Sequence, residues 1–183
     1  MTAQRVLKFF ETKSHDYASL QVTLPEEINN VLLSIRKRLN PGDFNFEEDK
    51  GNAHFQAHST IFFGLGQEDI EPIAHYLRNY GAIPFTLFGT LRVFTSNDNF
   101  DVGYFPVKCD DLGHIHFGLR SLLHKNPPSF KDEYTPHVTL GYFNKGCIEP
   151  GSINPNFTSM SCLVKEVSFH FKDETPVYIH LEE

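Results

Sequence analysis

Two short segments with the same residue pattern constrain the fold of this chain more than any other feature. Each reads histidine, any residue, threonine, aliphatic residue: His58-Ser59-Thr60-Ile61 within FQAHSTIFFGL, and His137-Val138-Thr139-Leu140 within YTPHVTLGYF. Both are predicted strands, in which successive side chains point to opposite faces. The histidine and threonine of each segment therefore share a face, and the aliphatic residue buries the other. If the strands lie side by side, two imidazoles and two hydroxyls converge.

This set of side chains is sufficient to cleave a phosphodiester without a metal ion. A neutral imidazole can take the proton of an attacking hydroxyl, and a protonated one can supply a proton to the leaving oxygen. Threonine hydroxyls can donate hydrogen bonds to the phosphate oxygens as charge develops. Zinc is the alternative for two histidines, but no third ligand stands at suitable spacing. We predict His58, Thr60, His137 and Thr139 as catalytic residues, with no metal and no cofactor.

The hydrophobic pattern of the whole chain predicts an α+β fold in the order β-α-β-α-β-β-α-β-β-β. Helical spacing predicts helices over 26–39, 69–80 and 112–123. Apolar runs predict strands over 18–24, 55–63, 85–94, 100–107, 135–143, 162–171 and 176–181, with polar loops at 42–54 and 124–133. Because the order contains two similar halves, we expect a pair of sheets with helices outside. We expect a single domain over 1–183, with residues 1–15 as a short N-terminal arm.

Composition limits the kind of substrate and the compartment. The 183 residues include 40% hydrophobic residues and 18 phenylalanines, which predicts one core rich in aromatic rings. The formal net charge is -7, whereas proteins that track a long nucleic acid usually carry a basic face. A small phosphodiester in a pocket fits better. Three distant cysteines argue against a disulfide framework. With neither a signal peptide nor a membrane-length apolar segment, we expect a cytoplasmic protein.

The paired segments resemble those of the two-histidine (2H) phosphoesterase superfamily, over most of the chain. Ser59 departs from the superfamily pattern, in which a β-branched residue is common at that position, but this leaves the face with His58 and Thr60 unchanged. The resemblance implies two lobes whose paired antiparallel sheets form a central groove. Four segments are similar to a phage branch, the anti-CBASS nucleases, which degrade cyclic di- and trinucleotides of bacterial immune signalling: HSTIFFGL, GTLRVF, FDVGYFPV and YTPHVTLGYF.

The branch implies hydrolysis of 3′–5′ bonds in a small cyclic nucleotide, in the host cytoplasm if the chain is phage-encoded. It also implies attack by a ribose 2′-hydroxyl on the adjacent phosphate. Two alternatives stay open. One is a phosphodiesterase of the same superfamily acting on RNA-end 2′,3′-cyclic phosphates or 2′,5′-oligoadenylate. The other is a protein that sequesters nucleotides, against which the intact His–Thr pairs argue. No long nucleic acid and no membrane is expected as a partner.

Four further residues are candidates for substrate binding. Strict alternation places Phe62 on the face of the first catalytic pair. Tyr17 and Tyr142 lie beside predicted strands or loops, and a ring stacked on a base contributes about 1–3 kcal/mol. Glu166, on a strand near the C-terminus, either accepts hydrogen bonds from a base edge or faces water. For each aromatic residue, packing in the core or at the rim is the competing interpretation.

Overall fold

The computed structural model describes residues 18–49, 51–95, 99–125, 134–171 and 175–181. Three α-helices lie within these ranges: α1 (Glu26–Lys37), α2 (Ile70–Leu77) and α3 (Asp110–Leu123). The strands there are β1 (Ala18–Thr23), β2 (His58–Leu65), β3 (Ile83–Phe88), β4 (Arg92–Phe94), β5 (Phe100–Lys108), β6 (His137–Asn144), β7 (Ser159–Val164), β8 (Glu166–Phe171) and β9 (Val177–His180). The expected N-terminal arm, 1–15, lies outside the described residues.

The strands form two antiparallel sheets, which confirms the predicted α+β architecture. The first sheet has the order β2-β1-β8-β9. The second has the order β4-β5-β3-β7, and β6 also pairs with β5. The helices pack crosswise on these sheets, because α1 from the first half contacts β6 and α3 from the second half contacts β2. Each HxT strand therefore lies against a helix from the other half of the chain.

Two of the predicted strands are each two strands in the structure. The segment predicted at 85–94 is interrupted at Gly89, whose N–H donates to the carbonyl of Thr158. A Cβ on Gly89 would lie 1.9 Å from the carbonyl oxygen of Phe157, so the chain needs glycine there to turn out of the ladder. The segment predicted at 162–171 changes sheet at Lys165. Val164 pairs with β3 in the second sheet, and Glu166 pairs with β9 in the first.

Helix α1 shows how local sequence signals set an element and its buried face. Two glutamates occupy its first turn and two basic residues its last, an arrangement that complements the helix dipole. Pro25 precedes the first helical residue. Ile28, Leu32 and Ile35 form the buried face, as their helical spacing predicts. Arg36 is also buried, at 3% exposure, which apolar spacing does not predict.

The core lies between the sheets and the helices and is rich in phenylalanine, as the composition predicts. Five phenylalanines are among its largest fully buried side chains: Phe62, Phe85, Phe105, Phe143 and Phe169. Within the described ranges, none of the helices has the length and apolar character needed to cross a membrane.

Candidate active site

The two HxT strands meet where the two sheets meet. Strand β2 is an edge of the first sheet, and it contacts β6 of the second sheet without pairing to it. His58 and His137 each occupy the first position of their strand, and each is half-buried. The charge of His58 acts on the pKa of His137. The fold therefore places the two predicted imidazoles on contacting strands, where the two sheets meet.

Both imidazoles are held by the same local hydrogen bond. The Nδ1 of His58 lies 2.8 Å from the carbonyl oxygen of Gln56, and the Nδ1 of His137 lies 2.8 Å from that of Thr135. A carbonyl only accepts, so Nδ1 carries the proton in each ring. In the neutral form, Nε2 is then left with a lone pair. Each histidine is thereby set in the tautomer that a general base at Nε2 requires.

Burial lowers the pKa of both motif histidines. For His58, the bond to the carbonyl of Gln56 opposes this effect only in part. For His137, burial is again the main cause; the bond to Thr135 opposes it and the charge of His58 adds to it. Two neutral rings are thus favoured at neutral pH. A bound phosphate anion would favour protonation of one ring, which would then be the acid.

The two threonines present their hydroxyls beside the histidines. Thr60 and Thr139 follow their histidines by two residues on the same strand face, and both are half-buried. Thr60 pairs with Gln21 of β1 and Thr139 with Tyr104 of β5. In the described part of the chain, neither hydroxyl has a hydrogen-bond partner. Both are therefore available to phosphate oxygens.

A β-bulge follows the threonine in the first motif. On β1, the consecutive residues Leu20 and Gln21 lie opposite Phe62 and Thr60 of β2. Ile61 is therefore an extra residue without a partner on β1. An extra residue shifts the alternation of side chains by one position.

The second motif has a bulge at the equivalent position. Gly103 and Tyr104 of β5 lie opposite Gly141 and Thr139 of β6, so Leu140 is the extra residue. In both motifs, the bulge falls on the aliphatic residue directly after threonine. The shared sequence pattern thus corresponds to a shared backbone irregularity.

The bulges correct the sequence-based placement of the aromatic candidates. Strict alternation predicts Phe62 beside the catalytic pair, but Phe62 is 0% exposed and its ring lies 5.4 Å from that of His116 in the core. That prediction is wrong because the bulge turns Phe62 inward. Phe63 is on the outer face instead, 40% exposed. In the second motif, the same shift turns Tyr142 to the face of Thr139.

A buried helical side chain holds the carbonyl of each bulge. His116 of α3 is fully buried, and its Nδ1 lies 2.7 Å from the carbonyl oxygen of Ile61. Arg36 of α1 donates through Nη1 to the carbonyl of Leu140. The Tyr134 ring stacks on His116 at 4.4 Å, and its hydroxyl donates to the carbonyl of Thr60 at 2.9 Å. The backbone directly after each threonine is therefore held by side chains from the opposite half.

Arg36 also anchors the segment expected as a loop at 42–54. It forms a two-bond ion pair with Asp49, at 3.0 Å (Nη1–Oδ2) and 2.6 Å (Nη2–Oδ1), and its Nε donates to Asn52. Asp49 in turn accepts from the N–H groups of Gly51 and Tyr142. These bonds fix the segment over the second motif. The bound loop forms part of the site wall.

Two aromatic rings frame His137. Phe94 stacks on Tyr104 with centroids 3.9 Å apart, and each ring meets the imidazole of His137 edge-on at 5.2 Å. Their edge contacts restrict rotation of the imidazole. Phe94 belongs to the GTLRVF segment and Tyr104 to FDVGYFPV. Both segments carried the family resemblance, but alternation alone does not single out either ring.

A cavity of about 400 Å³ is lined by two of the four predicted catalytic residues, His58 and Thr139, and does not include Thr60 or His137 in its lining. Tyr142 also lines it, and its contact with a base stays a prediction. Gln21 and His170 line its wall on the first sheet. Its remaining wall includes six residues from the anchored segment and its end: Glu48, Asp49, Gly51, His54, Phe55 and Gln56. The volume is in the range of small-molecule sites.

Glu166 lies at the start of β8, half-buried, and pairs in register with His180 of β9. Its Oε2 lies 3.4 Å from the Nδ1 of His180. It does not line the cavity described above, so its predicted contact with a base stays a prediction. Tyr17 lies outside the described residues. Among those residues, no group of three or more His, Cys, Asp or Glu side chains is placed to hold a metal ion.

Neither a protein-family model nor a curated protein matches this chain in sequence. Solved structures match it in fold. TT0787 of Thermus thermophilus gives a TM-score of 0.60 at 20% identity, covering 91% of this chain and 95% of that one. E. coli LigT, solved with phosphate, gives a TM-score of 0.58 at 16% identity, covering 93% of this chain and 100% of that one. Kluyveromyces marxianus Usb1, solved with uridine monophosphate, gives a TM-score of 0.54 at 12% identity, covering 91% of this chain and 99% of that one. The chain has the two-histidine phosphoesterase fold. At these identities the likeness is one of fold.

Several residues of this site were missed by sequence reasoning. Arg36, Asp49, Phe94, Tyr104 and His170 all contact or line the site, yet none belongs to a motif. The only signal for the two rings was the family resemblance of their segments. Arg36 looks like an ordinary basic residue in a last helical turn. These residues act through long-range contacts, which a local pattern does not reveal.

Proposed function

We propose that this protein is a metal-independent phosphodiesterase that opens the 3′–5′ bonds of small cyclic di- or trinucleotides. The observation that carries the proposal is the pair of imidazoles, each anchored at Nδ1 by the backbone and each next to a threonine hydroxyl. The phosphoesterase fold and the cavity beside His58 support it. The resemblance of four short segments to nucleases of cyclic oligonucleotides supports the choice of substrate, and the host's immune signal would then be removed.

The chemistry assigns one role to each imidazole. One neutral Nε2 takes the proton from the ribose 2′-hydroxyl, and the 2′-oxygen attacks the adjacent phosphorus. The bond from phosphorus to the 5′-oxygen breaks, and the other, protonated histidine gives its proton to that oxygen. Thr60 and Thr139 donate to the non-bridging oxygens, whose charge grows in the transition state. Water then opens the 2′,3′-cyclic phosphate, with the two histidines exchanging roles.

A substrate panel tests the proposal directly. The purified protein is incubated with cyclic dinucleotides, cyclic trinucleotides, 2′,5′-oligoadenylate and 2′,3′-cyclic mononucleotides, with and without a chelator, and products are separated by chromatography. We expect the cyclic oligonucleotides to be opened fastest and chelator to have no effect. A cyclic dinucleotide lacking the 2′-hydroxyl should be inert. If it is cleaved at the normal rate, attack by the 2′-oxygen is wrong.

Variants tie the activity to the site. His58→Ala and His137→Ala should each abolish turnover, because either change removes one of the two proton carriers. His75→Ala is the matched control, since His75 is exposed on α2 and belongs to neither motif. Normal rates in both motif variants would refute the assignment of the site.

A second candidate function has its own support. E. coli LigT has been solved with 3′-AMP and Usb1 with uridine monophosphate, so proteins of this fold accommodate mononucleotides. A phosphodiesterase for RNA-end 2′,3′-cyclic phosphates or 2′,5′-linkages is therefore the alternative. Faster turnover of those compounds than of any cyclic oligonucleotide would favour it.

A further inference from the structure

One wall of the cavity is formed by polar residues that the proposed chemistry does not use. On the first sheet these are Gln21 and Thr23 of β1 and His170 of β8. We propose that Gln21 and His170 form a nucleobase pocket, in which they bind the edge of the base adjacent to the scissile phosphate. The inference rests on the proposed function, and it adds a specificity site to it.

His170 is held rigidly by a short chain of hydroxyl groups. Its Nε2 lies 2.9 Å from the hydroxyl of Ser168, which lies 3.1 Å from the hydroxyl of Thr23. Ser168 is fully buried, so this support is protected from water. Within the described part of the chain, Nδ1 of His170 makes no hydrogen bond. One ring nitrogen is fixed by the protein, and the other is left for a ligand.

Gln21 lies between the catalytic centre and His170. It pairs with Thr60 on one side and with Ser168 on the other, and His170 is the diagonal neighbour on the same face. Its Nε2 donates to the hydroxyl of Ser19 at 2.7 Å. The amide oxygen has no partner among the described residues. An amide oxygen and an imidazole nitrogen side by side match the neighbouring polar atoms of a base edge.

The charge of the cavity favours a neutral base over a second phosphate. The lining carries two carboxylates, Glu48 and Asp49, and one guanidinium, Arg36. Arg36 directs its Nε and both Nη atoms to protein acceptors, chiefly Asp49. Burial and the charge of His58 lower the pKa of His170, which favours its neutral form. Apart from its histidines, the lining therefore offers a second phosphate no cation that is free of protein acceptors.

Tyr142 supplies the apolar surface that a base needs. Its side chain is half-buried, lines the same cavity and meets Phe100 edge-on at 5.5 Å. The bulge at Leu140 is what turns it to this face. Aromatic stacking tolerates any base, so discrimination between bases falls to Gln21 and His170.

Nucleotide binding tests this pocket without requiring catalysis. The dissociation constants of 3′-AMP, 3′-GMP, 3′-CMP, 3′-UMP and inorganic phosphate are measured by calorimetry on the wild type. They are measured again on His170→Phe, which keeps a ring without nitrogen, and on Gln21→Leu. We expect the wild type to prefer its best base over its worst by about tenfold, the value of one or two hydrogen bonds. Each variant should reduce that preference to less than about threefold.

Phosphate binding separates a pocket from a structural role. Affinity for inorganic phosphate should stay unchanged in both variants, which also shows that they are folded. His75→Ala, the exposed control on α2, should retain both the phosphate affinity and the base preference. Equal losses for all five ligands, or a base preference that survives both substitutions, would overturn the proposal.

The two proposals fail in different ways. If the wild type cleaves none of the phosphodiesters but its base preference depends on His170 and Gln21, the proposed function fails and the pocket stands. If it cleaves cyclic oligonucleotides with no dependence on base, in the wild type and both variants, the function stands and the pocket fails.

Discussion

Removal of the Arg36 guanidinium is expected to destabilise the protein more than any ordinary surface change. The side chains of Arg36 and Asp49 are only 2% and 6% exposed. In the variant Arg36→Met, the Asp49 carboxylate stays buried and retains only its two backbone donors, from Gly51 and Tyr142. The carbonyl of Leu140 also loses the donor from Arg36. Methionine preserves much of the apolar stem, so the change isolates the polar group.

The size of the expected stability loss follows from the burial of the Arg36–Asp49 ion pair. Breaking a buried ion pair by removing one partner costs about 3–5 kcal/mol, because the remaining charge is uncompensated. For a chain of this size, each kcal/mol lowers Tm by about 2–4 °C, so a fall of roughly 6–20 °C is expected. Lys37→Met is the matched control. Lys37 is the exposed neighbour in the same helical turn, and its loss should change stability by less than about 0.5 kcal/mol.

The pH dependence of stability tests whether the lost ion pair with Asp49 causes the destabilisation. Burial alone would raise the pKa of Asp49, but the bonds from Arg36, Gly51 and Tyr142 and the charge of Arg36 outweigh it and lower the pKa below its ordinary value. A carboxyl with a lowered folded-state pKa contributes stability above its unfolded pKa of about 3.9 and loses that contribution as pH falls through the folded value. The difference in the free energy of unfolding between wild type and Arg36→Met should therefore narrow below about pH 4.

Urea unfolding at several pH values measures these quantities, with the double variant Arg36→Met/Asp49→Asn as a further check. The double variant removes both charges and keeps an acceptor for one of the two backbone donors, so it should regain about 1–3 kcal/mol relative to the single variant. A single-variant loss below about 1 kcal/mol would contradict the reasoning, as would a gap that does not change with pH.

Three further predictions concern the catalytic residues and their surroundings. Thr60→Val and Thr139→Val should each lower kcat by about 10²–10³-fold through loss of a donor to the transition state; unchanged kcat in steady-state assays would exclude that role. Since the pKa values of His58 and His137 are both lowered, kcat/KM should be greatest on the acid side of neutrality. The value of kcat/KM should fall at lower pH as the base is protonated, and at higher pH as the acid loses its proton. The pH profile of kcat should lie at higher pH than that of kcat/KM, because bound phosphate favours the charged ring. Coincident profiles would contradict this expectation. Gly141→Ala should cost about 1–3 kcal/mol in urea unfolding, because its Cβ would meet the Arg36 guanidinium at 2.8 Å; a neutral effect would show that the contact relaxes.

Alternation was a reliable guide to the catalytic face only as far as the bulge in each motif. His58 and Thr60 share a face because the two residues precede Ile61, and the same holds for His137 and Thr139 before Leu140. Beyond those positions the parity reverses, so Phe62 is in the core and Phe63 is outside. A bulge depends on which residues the partner strand offers, and a single strand does not contain that information. Alternation therefore placed each His–Thr pair on one face and misplaced an aromatic neighbour.

The bulges also explain why the supporting residues differ between the halves although the motifs are alike. A bulged residue leaves a backbone carbonyl that the regular ladder does not serve, and a buried carbonyl requires a donor. The crosswise packing of the helices supplies that donor from His116 in one half and Arg36 in the other. A neutral imidazole needs no counterion, whereas a buried guanidinium does, and Asp49 fills this role from the loop. The use of arginine rather than histidine at the bulge of the second motif thus accounts for three features beside that motif. These are the ion pair, the anchored loop and the cavity wall that the loop forms.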